Sequence, residues 1–229
     1  MAIQDSEESI FTHALMQALN SLAIAAAPPQ IDAMRRHYRL MLERNRTMNL
    51  TRITQPEAAA IKHYADSLAL LAWPPSRSFQ AIRALDVGTG AGFPAVPLAV
   101  MRGDWNITAI DSTRKKAEFV REVAESLPLT NLRVEHARAE HWQPTQPFDL
   151  VVVRAVASLD RVLLKTVHLL NSAGGLVLYC AQDSPQDKST RVARVLNRSR
   201  LEPGERFAYH LRCGDELLRR ELWEFRRAP

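Results

Sequence analysis

Two regimes of hydrophobic patterning divide the chain. Up to about residue 73, apolar residues recur at helical spacing: Ile10, Leu15, Leu19 and Leu22 first, then Ile31, Met34, Tyr38, Met41 and Leu42. Pro28-Pro29 ends the first of these segments. Thr54-Gln55-Pro56-Glu57 has the form of a capping box, whose hydroxyl and carboxylate would satisfy free amides at a helix start. It predicts a third helix from there to about residue 71, with Ile61, Tyr64, Leu68 and Leu71 inward. Beyond Trp73-Pro74-Pro75 the rhythm changes. Short β-prone runs at 84–87, 106–110, 132–135, 148–153 and 176–180 alternate with amphipathic stretches such as 113–126 and 159–170. That alternation predicts a parallel sheet covered by helices on both faces, an α/β fold. Phe207, Tyr209, Leu211 and Cys213 then alternate, Gly214-Asp215 can turn, and 218–225 returns, which predicts an antiparallel hairpin at the sheet edge. The expected organisation is a helical extension over 1–73 followed by an α/β domain over 74–229.

Composition adds limits. The chain has 229 residues, 46% hydrophobic and 24% charged, so it can bury a sizeable core. Its acidic start and short apolar runs are unlike a signal peptide or a membrane span, so a cytoplasmic protein away from membranes is expected. The two cysteines, Cys180 and Cys213, have no metal-ligand spacing, so reduced thiols and no metal are expected. A net charge of +5 is compatible with a polyanionic partner. Arginines cluster over 35–52, including Arg44, Arg46 and Arg52, and again over 191–200.

The candidate chemistry sits in Leu85-Asp86-Val87-Gly88-Thr89-Gly90-Ala91-Gly92-Phe93-Pro94, between a predicted strand and a predicted helix. The spacing G-x-G-x-G, with Asp86 two residues before the first glycine, does not suit a pyrophosphate, which gains nothing from an adjacent acid. It suits S-adenosylmethionine (SAM), whose ammonium and sulfonium are cationic. Asp111 ends the next strand, where such folds place an acid on ribose hydroxyls; it could equally cap the following helix. Arg154 arrives as the apolar run of the fourth strand stops, either at the crevice or pairing with a carboxylate at the sheet edge.

On Asn49-Leu50-Thr51, His63-Tyr64-Ala65-Asp66-Ser67, the glycine loop, Arg138-Ala139-Glu140 and Arg154-Ala155-Val156-Ala157, the chain resembles the bacterial ribosomal RNA small subunit methyltransferase G family, also called glucose-inhibited division protein B. The resemblance implies a Rossmann-like class I SAM-dependent methyltransferase with a seven-stranded, mostly parallel sheet and an N-terminal helical cap. It implies methylation of guanine N7, at guanine 527 of 16S ribosomal RNA, presented naked or in the 30S subunit; no oligomer is implied, and a monomer is expected. It implies that Gly88, Phe93, Ala139, Glu140 and Arg154 bind the cofactor, beside Gly90 and Asp111 expected there from the loop and strand pattern, and that Arg154, His63 and Asn49 serve the reaction. Arg44, Arg46 and Arg52 would meet RNA.

One departure stands out: relatives carry a lysine after the fifth strand, and here Leu178-Tyr179-Cys180-Ala181-Gln182 lacks it, leaving Lys188 as a replacement. The rival readings are a methyltransferase of another RNA or of a small molecule, a noncatalytic RNA-binding module, and a nicotinamide dehydrogenase. The arginines and motifs argue against the small molecule, the intact glycines against the decayed module, and loop spacing with Asp86 against the dehydrogenase.

Overall fold

A computed structural model describes residues 2–74, 80–154, 158–182 and 190–227. Helices α1 (Ala2–Ser21), α2 (Pro28–Met48), α3 (Pro56–Ala59) and α4 (Asp66–Ala72) precede the sheet, with a π turn at Ala60–Ala65 joining the last two. The sheet contains β1 (Arg83–Val87), β2 (Asn106–Asp111), β3 (Leu132–His136), β4 (Phe148–Arg154), β5 (Leu170–Ala181), β6 (Leu201–Cys213) and β7 (Glu216–Arg227). Helices α5 (Ala95–Met101), α6 (Arg114–Ser126), α7 (Leu159–Thr166) and α8 (Thr190–Ser199) lie between strands. Strand order is β3-β2-β1-β4-β5-β7-β6; β7 runs antiparallel to both neighbours and the other pairings are parallel.

Strands β1, β2 and β4 and the 176–179 part of β5 are largely buried on both faces, which explains their near-continuous apolar runs. Ala84, Ile107, Val152 and Val177 face a core shared with α1, α2, α4, α5 and α6. Leu85, Ile110, Val151 and Leu176 face the opposite core under α7 and α8. The N-terminal helices therefore bury their stripes in the same core as one sheet face. Within it Phe11 stacks on Tyr38 (centroids 4.5 Å, 6° between planes) and meets the edge of Tyr64 at 4.9 Å.

Several local expectations change. Pro28 opens α2 at its first turn, where a missing N–H costs nothing, as well as closing the segment before it. The Thr54–Glu57 capping box does not form. Gln55 precedes α3 without a side-chain cap, Glu57 Oε1 accepts from the Gly214 N–H (3.0 Å), and the Thr54 carbonyl accepts from the Tyr38 hydroxyl (2.8 Å). A tertiary contact to the hairpin tip has taken the carboxylate that the local motif needed. The helix expected to reach 170 stops at Thr166, and β5 begins at Leu170 rather than 176, because Leu170 pairs with Phe148 before a register shift. The hairpin forms with Cys213 opposite Glu216 and Gly214 at φ +56°; both of its strands are longer than expected. Pro75, Ala155-Val156-Ala157 and Lys188 lie outside the described residues, as does the side chain of Arg191. Among the described residues no helix is long and apolar enough to cross a membrane.

Phe11 is fully buried, and α1 depends on it for its grip on α2 and the π turn. Phe11→Ala is expected to lower unfolding free energy by about 3–5 kcal/mol, read by urea denaturation. A loss below about 1 kcal/mol would show that α1 contributes little to the shared core.

Candidate active site

The glycine loop follows β1 at the carboxyl end of the sheet, where ligands of open α/β folds bind. Its amides are tied to β2: Gly88 N–H and Thr89 N–H both donate to the Ile110 carbonyl (2.8 and 3.1 Å), and Gly90 N–H donates to Asp111 Oδ2 (3.0 Å). Gly88 takes φ +79°, which favours glycine, and a Cβ there would meet no atom within 4 Å, so the position opens on free space. That space is an open cleft holding a cavity of about 170 Å³. Val87, Ile110, Val153 and Val162 supply an apolar wall, Asp111 a carboxylate, and Ala139 with Glu140 the rim.

Asp111 is in part the helix-start residue of the alternative reading, since its Oδ1 accepts from the Thr113 N–H (2.8 Å) while Oδ2 holds the loop. A carboxylate has about four lone-pair sites, so two remain for hydroxyls. Ala139 is buried in a 3-10 turn (Ala139–His141), and Glu140 pairs with Lys165 at 3.1 Å. Asp86 departs from expectation. It shares a sheet face with Ala84, so its carboxylate turns away from the cavity to the start of α5, where Oδ2 accepts from the Ala95 N–H (3.1 Å). Burial pushes it up to about 7, against the pull of Thr89 and of that N–H. It supports the loop from within instead of facing a ligand's ammonium.

A second cluster joins the helical layer to β4. Arg154 reaches the π turn from β4: Nη1 donates to the carbonyls of Lys62 (3.0 Å) and His63 (3.3 Å), the latter also accepting from the Ser67 hydroxyl, and to Asp66 Oδ2 (3.1 Å). Its Nη2 lies 3.1 Å from His63 Nδ1. A guanidinium can only donate, so Nδ1 is unprotonated and Nε2 carries the hydrogen, which goes to Thr51 Oγ1 (2.9 Å). The His63 ring stacks on Phe93 (4.6 Å, 14°), and the guanidinium lies 5.5 Å above the same ring. Asp66 Oδ1 accepts from the Tyr209 hydroxyl of β6 (2.9 Å), and Arg220 Nε of β7 stands 3.6 Å from it. Burial, then the Arg154 charge, hold His63 down at about 3. His63 is therefore neutral at working pH and is no base. Arg154 is paired with a helical carboxylate rather than one at the sheet edge.

The remaining expected residues are scattered. Asn49 ends α2 in the left-handed region (φ +49°), exposed. Arg46 and Arg52 are exposed and make no ion pair among the described residues; Arg44 pairs with Glu122 of α6. Arg35 is held by Glu8 and Asp32, and Arg36 donates to the Ser126 carbonyl, so the 35–52 cluster is largely tied to its own protein. Burial, then Glu221, push the Cys180 thiol up to about 12, leaving it no nucleophile at neutral pH. Sequence reasoning passed over Tyr209, whose partner lies 143 residues away. It also passed over His37, although a histidine between Met34 and Met41 on an apolar stripe was visible.

Comparison with known proteins bears on this arrangement. The profile of the rRNA small subunit methyltransferase G family matches residues 30–200. The ribosomal RNA small subunit methyltransferase G of Microcystis aeruginosa is 40% identical over 158 residues, 66% of this chain and 70% of that protein. That of Bordetella avium is 37% identical over 193 residues, 82% of this chain and 84% of that one. Among solved structures, the YcgJ protein of Bacillus subtilis (TM-score 0.53, 14% identity, 71% of this chain and 98% of that one) is similar in fold. So is M. jannaschii TYW2 in complex with AdoMet (0.51, 16%, 66% and 71%). The structural likeness is one of fold alone. The match over residues 30–200 takes in α2, the π turn, the glycine loop and Arg154 together, and this chain belongs to the rRNA small subunit methyltransferase G family.

Proposed function

We propose that the protein transfers a methyl group from SAM to N7 of a guanine in small-subunit ribosomal RNA, guanine 527 of 16S rRNA by likeness to its family, in the cytoplasm. The observation that carries the reading is the pairing of a cleft lined as an adenosine site would be with an adjoining cluster that offers no free base, His63 being held neutral and Asp66 being paired with Arg154. The apolar wall of Val87, Ile110, Val153 and Val162 suits an adenine, and the free lone pairs of Asp111 suit ribose hydroxyls. The open side of Gly88 leaves room for the cofactor's chain. When bound, SAM supplies an electrophilic methyl group. Guanine N7 carries a free lone pair, so the acceptor has no proton to lose. The neutral His63 and the inert Cys180 fit that requirement, whereas a carbon acceptor would need a nucleophile and an exocyclic amine a set of acceptors.

The chain's own contribution is positioning and electrostatics. Arg154 keeps His63 in one tautomer over Phe93, and the fixed histidine leaves the Thr51 hydroxyl its proton to donate. Arg46 and Arg52, unpaired among the described residues, are the arginines suited to phosphate.

Three outcomes follow from this reading. Gly88→Val should abolish SAM binding measured by calorimetry, because valine is strained at φ +79° and its side chain enters the crevice. Normal SAM affinity in that variant removes the loop from the cofactor site.

Single-turnover rates with saturating SAM and RNA should show no limb from His63 acting as a base, that is, no rise of rate with pH through its titration, between about pH 6 and 9. Its proton is already lost above about 3, so raising the pH through neutrality leaves its charge unchanged. A limb present in the wild type and absent from His63→Gln would overturn the base-free mechanism. A limb that vanishes only in Asp86→Asn belongs to the carboxyl beneath the loop.

On RNA, replacing Arg46 and Arg52 by Ala should flatten the log–log salt slope of binding by about 1 each, while Arg44→Ala leaves it nearly unchanged because Glu122 already neutralises that charge. The reverse pattern would place RNA along α6 instead.

A further inference from the structure

We propose that His37 is a positioning residue for the cofactor, fixing the glycine loop from behind so that affinity for SAM is set partly from the N-terminal helical layer. The inference rests on the reading of the loop as the SAM site and adds a residue that lies outside both loop and crevice. His37 is fully buried on α2. Its Nε2 stands 2.9 Å from the Ala91 carbonyl and its Nδ1 3.1 Å from the Tyr64 hydroxyl. A carbonyl can only accept, so Nε2 carries the proton and donates to Ala91, and Nδ1 accepts from the Tyr64 O–H. Both ring nitrogens are engaged and the tautomer is determined. Burial holds the ring at about 4, which keeps this pattern intact at working pH.

The bond acts where the rest of the loop offers no donor. Gly88, Thr89 and Gly90 are tied to β2 through their amides, and the Gly92 and Phe93 N–H groups turn back to the Thr89 carbonyl. No backbone N–H among the described residues reaches the Ala91 carbonyl; His37 supplies its hydrogen. The same ring lies 5.2 Å from that of Phe93 and would stand 3.4 Å from a Cβ on Gly92, so it backs both residues that follow Ala91. A buried carbonyl stripped of its donor is costly, and the cheapest relief is for the peptide after Ala91 to turn toward water. Gly88 then faces the crevice in only a fraction of molecules, and apparent affinity falls by that fraction. Tyr64 extends the link, since it adjoins His63 in the π turn: one turn holds Arg154 through its residue 63 and the glycine loop through its residue 64.

The test compares His37→Phe, which keeps a ring and removes the donor, with His37→Gln, which retains an N–H of similar reach. SAM binding is measured by calorimetry, and KM for SAM and kcat with small-subunit RNA, at a temperature where circular dichroism shows all variants folded. Expected is about tenfold or more weaker SAM binding in His37→Phe, with most of it restored in His37→Gln. KM for SAM should rise, while kcat at saturating SAM stays within about twofold of the wild type. If His37→Phe folds poorly, His37→Met fills the site without a donor and carries the same expectation. Wild-type affinity in the donorless variant, or equal weakening in the donorless and Gln variants, overturns the proposal as a purely structural role would. Failure of the wild-type protein to bind SAM overturns the underlying reading as well.

Discussion

The contact on which the site depends is the seating of the Arg154 guanidinium in the π turn. The backbone carbonyls of a buried turn have two lone pairs each, so they can accept a further hydrogen bond from a neighbouring donor. Arg154, delivered by the end of β4, meets two of them and adds a carboxylate, Asp66, to balance its charge. Removing either member of a buried ion pair costs about 3–5 kcal/mol, because the survivor stays desolvated. The sheet and the helical layer are thus locked together at the edge where the crevice opens. His63, Phe93 and Thr51 inherit their orientation from that lock.

Charge along α2 shows why counting arginines misleads. The sequence places six of them over 35–52, and a polyanion is one explanation. In the fold, Glu8 of α1 and Glu122 of α6 approach the helix and take Arg35 and Arg44, while a carbonyl of the α6 end takes Arg36. Those acids are distant in sequence, so their neutralising effect exists only once the helices pack. What stays open to solvent is Arg46 near the end of α2 and Arg52 just past it.

Much of the architecture was legible because it follows from periodicity. The alternation of strands and helices, the antiparallel hairpin at Gly214-Asp215 and the loop after β1 are local or nearly local signals. Legibility failed wherever a distant residue competed for a local partner. Glu57 has the spacing of a capping box and is claimed by Gly214. Asp86 sits in the motif where a ligand's cation is expected, yet the two-residue period of β1 turns it to the inner face, a deduction available from the strand but not made. The π turn carries no composition signature, since its six residues Ala60–Ala65 read as ordinary helix. Tyr209 is one member of an alternating pattern in the sequence, and its hydroxyl has meaning only beside Asp66.

The placement of β6 and β7 has a consequence for the order in which the molecule can come into being. Asp66 is synthesised early, with the helical layer, but the hydroxyl and guanidinium that steady it come from residues 209 and 220, on the last two strands of the sheet. Contacts of such sequence separation form late, after the loop-closure entropy of the whole sheet has been overcome. On a ribosome, the helical layer and glycine loop emerge well before the two strands that complete the surroundings of Asp66. Maturation of the reaction centre is therefore coupled to closure of the sheet's far edge, and a nascent chain stopped before β6 would carry the cofactor loop without the finished centre beside it.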